Sequence, residues 1–309
     1  MPLASIDVGS NSIRLLIGNV ARGRVFPLAH GRVVTRLAEG VEARGLLSGR
    51  AMDATLAALR GYSARIREAG ADAAVAVGTS ALREASNAGR FLARVLGETG
   101  IDVEVVSGQR EAELTARGVL SSVIAPRGAV IIDIGGGSTE WMLCLGGRLV
   151  DRDTLPVGVV KLLERHLRSD PPSVAEMRAL KVEADRVADS VRARLEGRLG
   201  EGHVMVATAG TATTLAAVDL ALEVYDPDRV QMHEMSVERL EELLERLASV
   251  PLATRRGVRG LEPERADLII PGAVLSIGLV RGLGFGKVHI SDHGLLEGAL
   301  LELHERTSG

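Results

Sequence analysis

The chain has 309 residues, 46% of them hydrophobic, enough for two domains of roughly 150 residues with full cores. A formal net charge of −3 excludes a globally basic nucleic-acid binder and an acidic disordered tail, and a single cysteine, Cys144, excludes a disulfide scaffold, a zinc finger and a cysteine-ligated cluster. Thirty-six glycines stand against six aromatic residues, and arginine far outnumbers lysine, which suits turns and forked oxyanion contacts better than base-stacking platforms.

Apolar runs at 3–8, 13–20 and 25–34, parted by turns at 9–11 and 21–23, predict an antiparallel three-strand meander. A helix follows over 49–69, with Met52, Leu56, Leu59 and Ile66 near helical spacing. The pattern then predicts a strand at 73–77, a helix over 80–98, a strand at 103–106 and a helix over 109–122. Around 125–128 it restarts. Strands at 129–134, 140–145 and 148–155 make a second meander, with turns at 135–138 and 146–147. Helices follow over 159–167 and 174–195, the second capped by Ser173. After them come a strand at 203–208, helices over 211–220, 237–248 and 264–282, a strand at 287–290 and a last helix over 295–305. No apolar run is long enough to cross a bilayer and none follows Met1, so a cytoplasmic protein is expected.

The two halves repeat each other. Asp7-Val-Gly-Ser-Asn-Ser12 matches Asp133-Ile-Gly-Gly-Gly-Ser138 at an offset of 126, and Ala76-Val-Gly-Thr-Ser-Ala81 matches Thr208-Ala-Gly-Thr-Ala-Thr213 at an offset of 132. Both pairs fall in the same order and at corresponding places, the mark of a duplication with two lobes facing across a cleft. The expected division is a first lobe at 1–125 and a second at 126–309. The helix over 295–305 is expected to pack back on the first lobe.

These turns carry chemistry. In 133–140 a carboxylate ends a buried strand, and Gly135, Gly136 and Gly137 let backbone amides approach an anion unobstructed. Ser138 adds a hydroxyl and Glu140 a second carboxylate. Acids beside a phosphate-sized turn repel the substrate unless a divalent cation lies between them, which argues for Mg²⁺ or Mn²⁺. Asp7, Ser10, Asn11 and Ser12 form the same device in the first half. Gly210 and Thr211 open a helix, where free amides and the dipole favour an anion. Arg14, just inside the next strand, reads equally as a salt-bridge partner. Arg255, Arg256 and Arg259 read either as a solvated loop or as a landing strip for a polyanion.

Together these motifs resemble the two phosphate loops and the adenosine-site turn of the actin, heat-shock chaperone and sugar kinase superfamily. More narrowly, Thr79-Ser-Ala-Leu-Arg-Glu-Ala-Ser-Asn87, Ser107-Gly-Gln-Arg-Glu-Ala112, Pro263-Glu-Arg-Ala-Asp267 and Ser291-Asp-His-Gly-Leu-Leu-Glu-Gly298 resemble the exopolyphosphatase and guanosine pentaphosphate phosphatase family, across the whole chain. The resemblance implies an α/β fold, a duplicated actin-like (ribonuclease H-like) architecture of two lobes with mixed sheets. It also implies hydrolysis of a terminal phosphoanhydride. Glu111 falls on the family's catalytic base, Asp133 and Glu140 on its metal-site acids with Asp7 as a further acid, and Arg83 on an arginine associated with substrate phosphate. Without the resemblance Glu111 would read as a solvated helix charge.

The chain departs from the family at three places. Leu296 stands where members carry arginine, Ala209 replaces a common glycine, and the chain ends at Gly309, before the extra helical domain of longer members. Inorganic polyphosphate is the expected substrate, with a cytoplasmic homodimer implied by the family. Hydrolysis of pppGpp, with ppGpp as a related ligand, is the alternative. A non-catalytic actin-like nucleotide-binding protein is a third reading, against which a positioned Glu111 argues. No nucleic-acid or membrane partner is expected.

Overall fold

A computed structural model of the chain describes residues 1–308. In chain order it forms β1 (Leu3–Val8), β2 (Ser12–Ala21), β3 (Arg24–Val34), α1 (Val41–Arg44), α2 (Gly49–Glu68), β4 (Ala73–Gly78), α3 (Ser80–Glu84), α4 (Ala88–Thr99), β5 (Val103–Val105) and α5 (Gly108–Leu120). There follow β6 (Ala129–Ile134), β7 (Thr139–Leu145), β8 (Arg148–Leu155), α6 (Val159–His166), α7 (Val174–Leu195), β9 (Val204–Thr208), α8 (Ala209–Asp219) and α9 (Pro227–Val230). The chain closes with β10 (Glu234–Ser236), α10 (Val237–Ala248), α11 (Leu252–Arg255), α12 (Ile269–Gly282), β11 (Lys287–Ile290) and α13 (Leu295–Ser308).

The chain divides into two compact units, one of Met1–Ser122 with the stretch from His293 onward, the other of Val123–Asp292. The first holds a five-stranded sheet in the order β3-β2-β1-β4-β5, the second a six-stranded sheet in the order β10-β11-β9-β6-β7-β8. In each, an antiparallel meander (β1–β3, β6–β8) joins parallel strands on the far side of its first member. The duplicated α/β fold with two mixed sheets, expected from the repeated motifs, is the one observed.

Two predicted helices are interrupted. The segment 80–98 splits at 85–87, because the Asn87 amide bonds both the N–H and the carbonyl of Leu47, and the Ser86 amide donates to Gly45. Those tertiary bonds override local propensity. The segment 264–282 starts late: Pro263–Arg265 forms a 3₁₀ turn, and the α-helix begins at Ile269. From Ile269 to Val280 that helix is buried on every side, so it lacks the amphipathic stripe of a surface helix. Ser173 caps α7 as expected, in a full capping box with Glu176.

In the first unit α13 lies directly on α5. A Cβ on Gly118 would stand 1.8 Å from the Gly294 carbonyl oxygen, and one on Gly298 1.8 Å from that of Leu114, so the helices touch backbone to backbone. Arg110 pairs with Glu302, and Arg117 with Glu305, beside that contact. Leu296 is buried in a cluster with Leu3, Leu16, Val25 and Leu300. An arginine there would take its charge into an apolar core, and the leucine instead contributes to it.

Candidate active site

In the first unit β1, β4 and β5 run parallel, with Val8, Gly78 and Val105 in lateral register. The segments leaving these strands, 9–12, 79–83 and 106–111, therefore emerge at one edge of the sheet, the C-terminal edge where open α/β sheets place ligands. The first segment is a tight turn closed by the Gly9 amide on the Ser12 carbonyl at 3.2 Å. The amides of Thr35 and Arg36 donate to Asn11 O, and that of Ala38 to Ser10 O, so the chain after β3 pins the turn from outside. Arg36 accepts a left-handed φ of 52° to do so. Asp7 is the direct cross-strand partner of Arg14, which forks onto its Oδ2 through Nε at 2.9 Å and Nη2 at 2.7 Å. The other carboxylate oxygen, Oδ1, is buried without a hydrogen-bond partner.

The other two segments meet side chain to side chain. Arg83, in α3, donates from Nη1 to Glu111 Oε2 at 2.6 Å and to the Val106 carbonyl at 3.0 Å. Glu111 sits in the first turn of α5, whose N-terminus Ser107 caps by accepting from the Arg110 amide. It is 8% exposed. A buried carboxylate held by a guanidinium in one geometry is far from the solvated helix charge that its local sequence suggests.

The second unit repeats the arrangement with one decisive exchange. The turn at 135–138 is closed by the Gly135 amide on the Ser138 carbonyl at 3.0 Å. The amides of Val159 and Val160, opening α6, donate to Gly135 O and Gly136 O. A Cβ on Gly158 would fall 2.4 Å from Gly136 O, so only glycine permits this approach. Where Asp7 faces Arg14, Asp133 faces Glu140, and both acids are buried. Directly opposed residues of an antiparallel pair project to the same face of the sheet. Glu140 accepts from Thr154 Oγ1 at 2.8 Å through Oε1.

The neighbouring parallel strand brings in the third turn, with Asp133 in register with Thr208. Thr211 does not present its hydroxyl outward; Oγ1 donates to the Ile134 carbonyl at 3.2 Å and braces the second turn against α8. The Thr211 hydroxyl is thus engaged within the unit. Ala209 adopts φ 66°, the left-handed region that the missing glycine would occupy freely. A Cβ on Gly210 would lie 1.8 Å from Arg265 Nη1, which places this guanidinium over the turn. Sequence reasoning noted the motif around Arg265 without giving that residue a role, and only the tertiary packing against Gly210 reveals one.

The three-arginine run does not lie on the surface as a whole. Arg255 is 3% exposed, donating to the carbonyls of Leu247, Val250 and Ala266, with Asp170 alongside. Burial pushes its pKa below the ordinary arginine value. Arg259 is exposed and pairs with Glu223.

Residues 16–307 match the sequence profile of the Ppx/GppA phosphatase family. Exopolyphosphatase 2 of Mycobacterium tuberculosis is 35% identical over 323 aligned positions, covering 97% of this chain and 98% of its own. A guanosine-5′-triphosphate,3′-diphosphate pyrophosphatase of Vibrio cholerae is 28% identical, covering 97% of this chain and 59% of its own. The crystal structure of the Aquifex aeolicus Ppx/GppA family member superposes with a TM-score of 0.83 at 29% identity, over 100% of this chain and 99% of the other.

Proposed function

The chain belongs to the Ppx/GppA phosphatase family, and from that premise we propose that it releases orthophosphate from the ends of inorganic polyphosphate with the help of Mg²⁺ or Mn²⁺. The observation that carries the reading is the opposition of Asp133 and Glu140 beside the glycine turn. Two buried acids facing one another repel each other and repel a phosphate, and a divalent cation relieves both conflicts.

The donor set suits such an ion. Among the described residues no group of three or more His, Cys, Asp or Glu side chains gathers to form a closed metal cage. Mg²⁺ does not ask for one, since it is commonly held by one or two carboxylates while keeping water and substrate phosphate as its other ligands. Asp133 and Glu140 would hold it, and Asp7 Oδ1 is a further buried oxygen in the first unit. When bound, the ion supplies charge neutralisation on the phosphoryl and leaving-group oxygens.

The chain's own residues account for the rest. Glu111 takes the proton of the attacking water while the water oxygen bonds to the terminal phosphorus and the anhydride P–O bond breaks, its electron pair leaving on the departing phosphate. Positioned base assistance of this kind contributes about 10²–10⁴-fold. Arg83 fixes the carboxylate that does this work and adds positive charge beside it. The turn at 9–12 in the first unit, and those at 135–138 and 210–211 in the second, offer backbone amides to phosphate, each preorganised within its own unit.

Removal of the 5′ γ-phosphate of pppGpp uses the same centre and is the second reading, supported by the name of the Vibrio relative. A cytoplasmic homodimer belongs to the same proposal. No helix among the described residues is long and apolar enough to cross a membrane, and sedimentation velocity tests the dimer. The deciding experiment measures phosphate release from long polyphosphate, tripolyphosphate, pppGpp and ATP, with and without Mg²⁺. Metal-dependent release from polyphosphate is expected. If no substrate yields phosphate with any divalent ion, the reading as a nucleotide-binding protein without turnover gains.

A further inference from the structure

At the C-terminal edge of the second sheet, β11 ends beside β9, with Ile290 in register with Ala207 and the Ser291 amide donating to Ala207 O at 2.8 Å. The next residue, Asp292, accepts a hydrogen bond from the Tyr225 hydroxyl. Its own amide donates to Gln231 Oε1 at 2.8 Å, which ties the loop bearing the tyrosine to the strand end. Asp226, adjoining Tyr225, caps α9 through the amides of Asp228 and Arg229. Thr213, early in α8, and Arg265 both act electrostatically on the same hydroxyl. Tyr225 therefore stands against the elements that form the 210–211 turn.

The two ends of this side chain differ. The hydroxyl is tied to Asp292, and burial together with that carboxylate pushes its pKa well above the ordinary tyrosine value. The residue nevertheless keeps 43% of its surface exposed. The other aromatic residues do not share this placement. Tyr62, Phe91 and Trp141 are buried, Phe26 lies on β3 of the other unit, and Phe285 is half-buried. A surface tyrosine needs no carboxylate to orient it. A ring fixed beside an anion-binding turn is what stacking on a base requires.

We propose that Tyr225, oriented by Asp292, is a specificity residue for nucleotides, its ring stacking on the base of a purine nucleoside 5′-polyphosphate whose phosphates lie on the 210–211 turn. The proposal rests on reading this centre as a phosphoanhydride hydrolase. It qualifies the compositional argument against a nucleobase, because one anchored ring suffices where six aromatics cannot make a platform.

The test compares kcat/KM for pppGpp and for tripolyphosphate in the parent, Tyr225→Leu and Tyr225→Phe. The ratio of pppGpp to tripolyphosphate should fall about 5- to 100-fold in Tyr225→Leu, the range for loss of one stacked base, and stay within about 2-fold of the parent in Tyr225→Phe. An unchanged ratio in Tyr225→Leu overturns the proposal, as does a parent that cleaves tripolyphosphate and neither cleaves nor binds pppGpp; the hydrolase reading survives both results. If the parent cleaves neither compound, the hydrolase reading fails by itself. Calorimetric binding of pppGpp to parent and Tyr225→Leu then decides, weaker binding in the variant supporting the stacking role and equal or absent binding ending it.

Discussion

Glu140 stands opposite Asp133 at the register step where, in the other unit, Arg14 stands opposite Asp7. Both pairs flank a four-residue turn closed by the same amide-to-carbonyl bond. The duplicated scaffold has thus diverged in charge at one position. The first unit sets a forked arginine against its acid, while the second sets another acid against its own.

Glu140→Gln should therefore do two opposite things. It removes half of a like-charge pair, so the metal-free protein should gain about 1 kcal/mol, roughly 2–4 °C in Tm. It also weakens cation binding, so the Mg²⁺ concentration for half-maximal activity should rise at least about 10-fold. Thermal melts in chelator and a Mg²⁺ titration of phosphate release check the two halves. A variant less stable without metal and unaltered in Mg²⁺ demand would remove Glu140 from the metal site.

The contact between Arg83 and Glu111 predicts non-additivity. Glu111→Gln should lower kcat by about 10²–10⁴-fold. Arg83→Met leaves the carboxylate without its guanidinium and should be slow for the same reason. The double variant should then be little slower than the worse single variant, since residues acting as a unit are lost together. Multiplicative losses would mean that the arginine serves the substrate separately from the base.

The phosphate turns were legible because a charge at a strand end followed by glycines has few other uses, and because the pattern occurs twice. Even the Asp133–Glu140 opposition is implicit in a four-residue turn between them. The Arg83–Glu111 contact was not legible, because it depends on the parallel register of β4 and β5 rather than on local spacing. The helix break at 85–87 hides for a similar reason, residing in bonds to Leu47, forty residues away. Arg255 misled because three arginines in five positions read as surface, and nothing local shows four acceptors converging on one of them.

That burial makes Arg255 a stability residue. Arg255→Ala would strand the carbonyls of Leu247, Val250 and Ala266 in the interior, at a cost of roughly 3–5 kcal/mol. Changing Arg256 and Arg259 together should stay within about 0.5 kcal/mol of the parent. Urea melts of the two proteins distinguish the roles. Equal stability alongside selective loss of activity on long polyphosphate would restore the run as a substrate track.

Ala209 carries a conformational cost that its family position usually avoids. At φ 66° an L-residue is disfavoured by about 1–2 kcal/mol, part of which glycine would return through greater unfolded-state entropy. Ala209→Gly should stabilise the protein by about 0.5–1 kcal/mol in equilibrium unfolding. A loss of stability would mean that the methyl group packs well enough to outweigh the strain.

Alkaline conditions should destabilise the protein through two buried acids. The Tyr62 hydroxyl donates to the Ile13 carbonyl at 3.0 Å, next to the first phosphate turn, and burial pushes its pKa from 10.0 up to about 12. Cys144, buried within β7, is pushed from 9.0 to about 12 by burial alone. In both cases the folded protein holds its proton where the unfolded chain has released it. The associated stability is full below the unfolded value and is lost as pH rises toward about 12. For Tyr62 that window is about 10 to 12, and the loss is on the order of 2 kcal/mol. Tyr62→Phe should lose about 1 kcal/mol at pH 7 with the hydrogen bond, yet show a shallower decline above pH 10, Cys144 and Tyr225 contributing to what remains. Guanidinium unfolding of parent and variant between pH 8 and about 11.5 reads both slopes. Identical slopes would mean that Tyr62 ionises as readily in the folded protein as in the open chain.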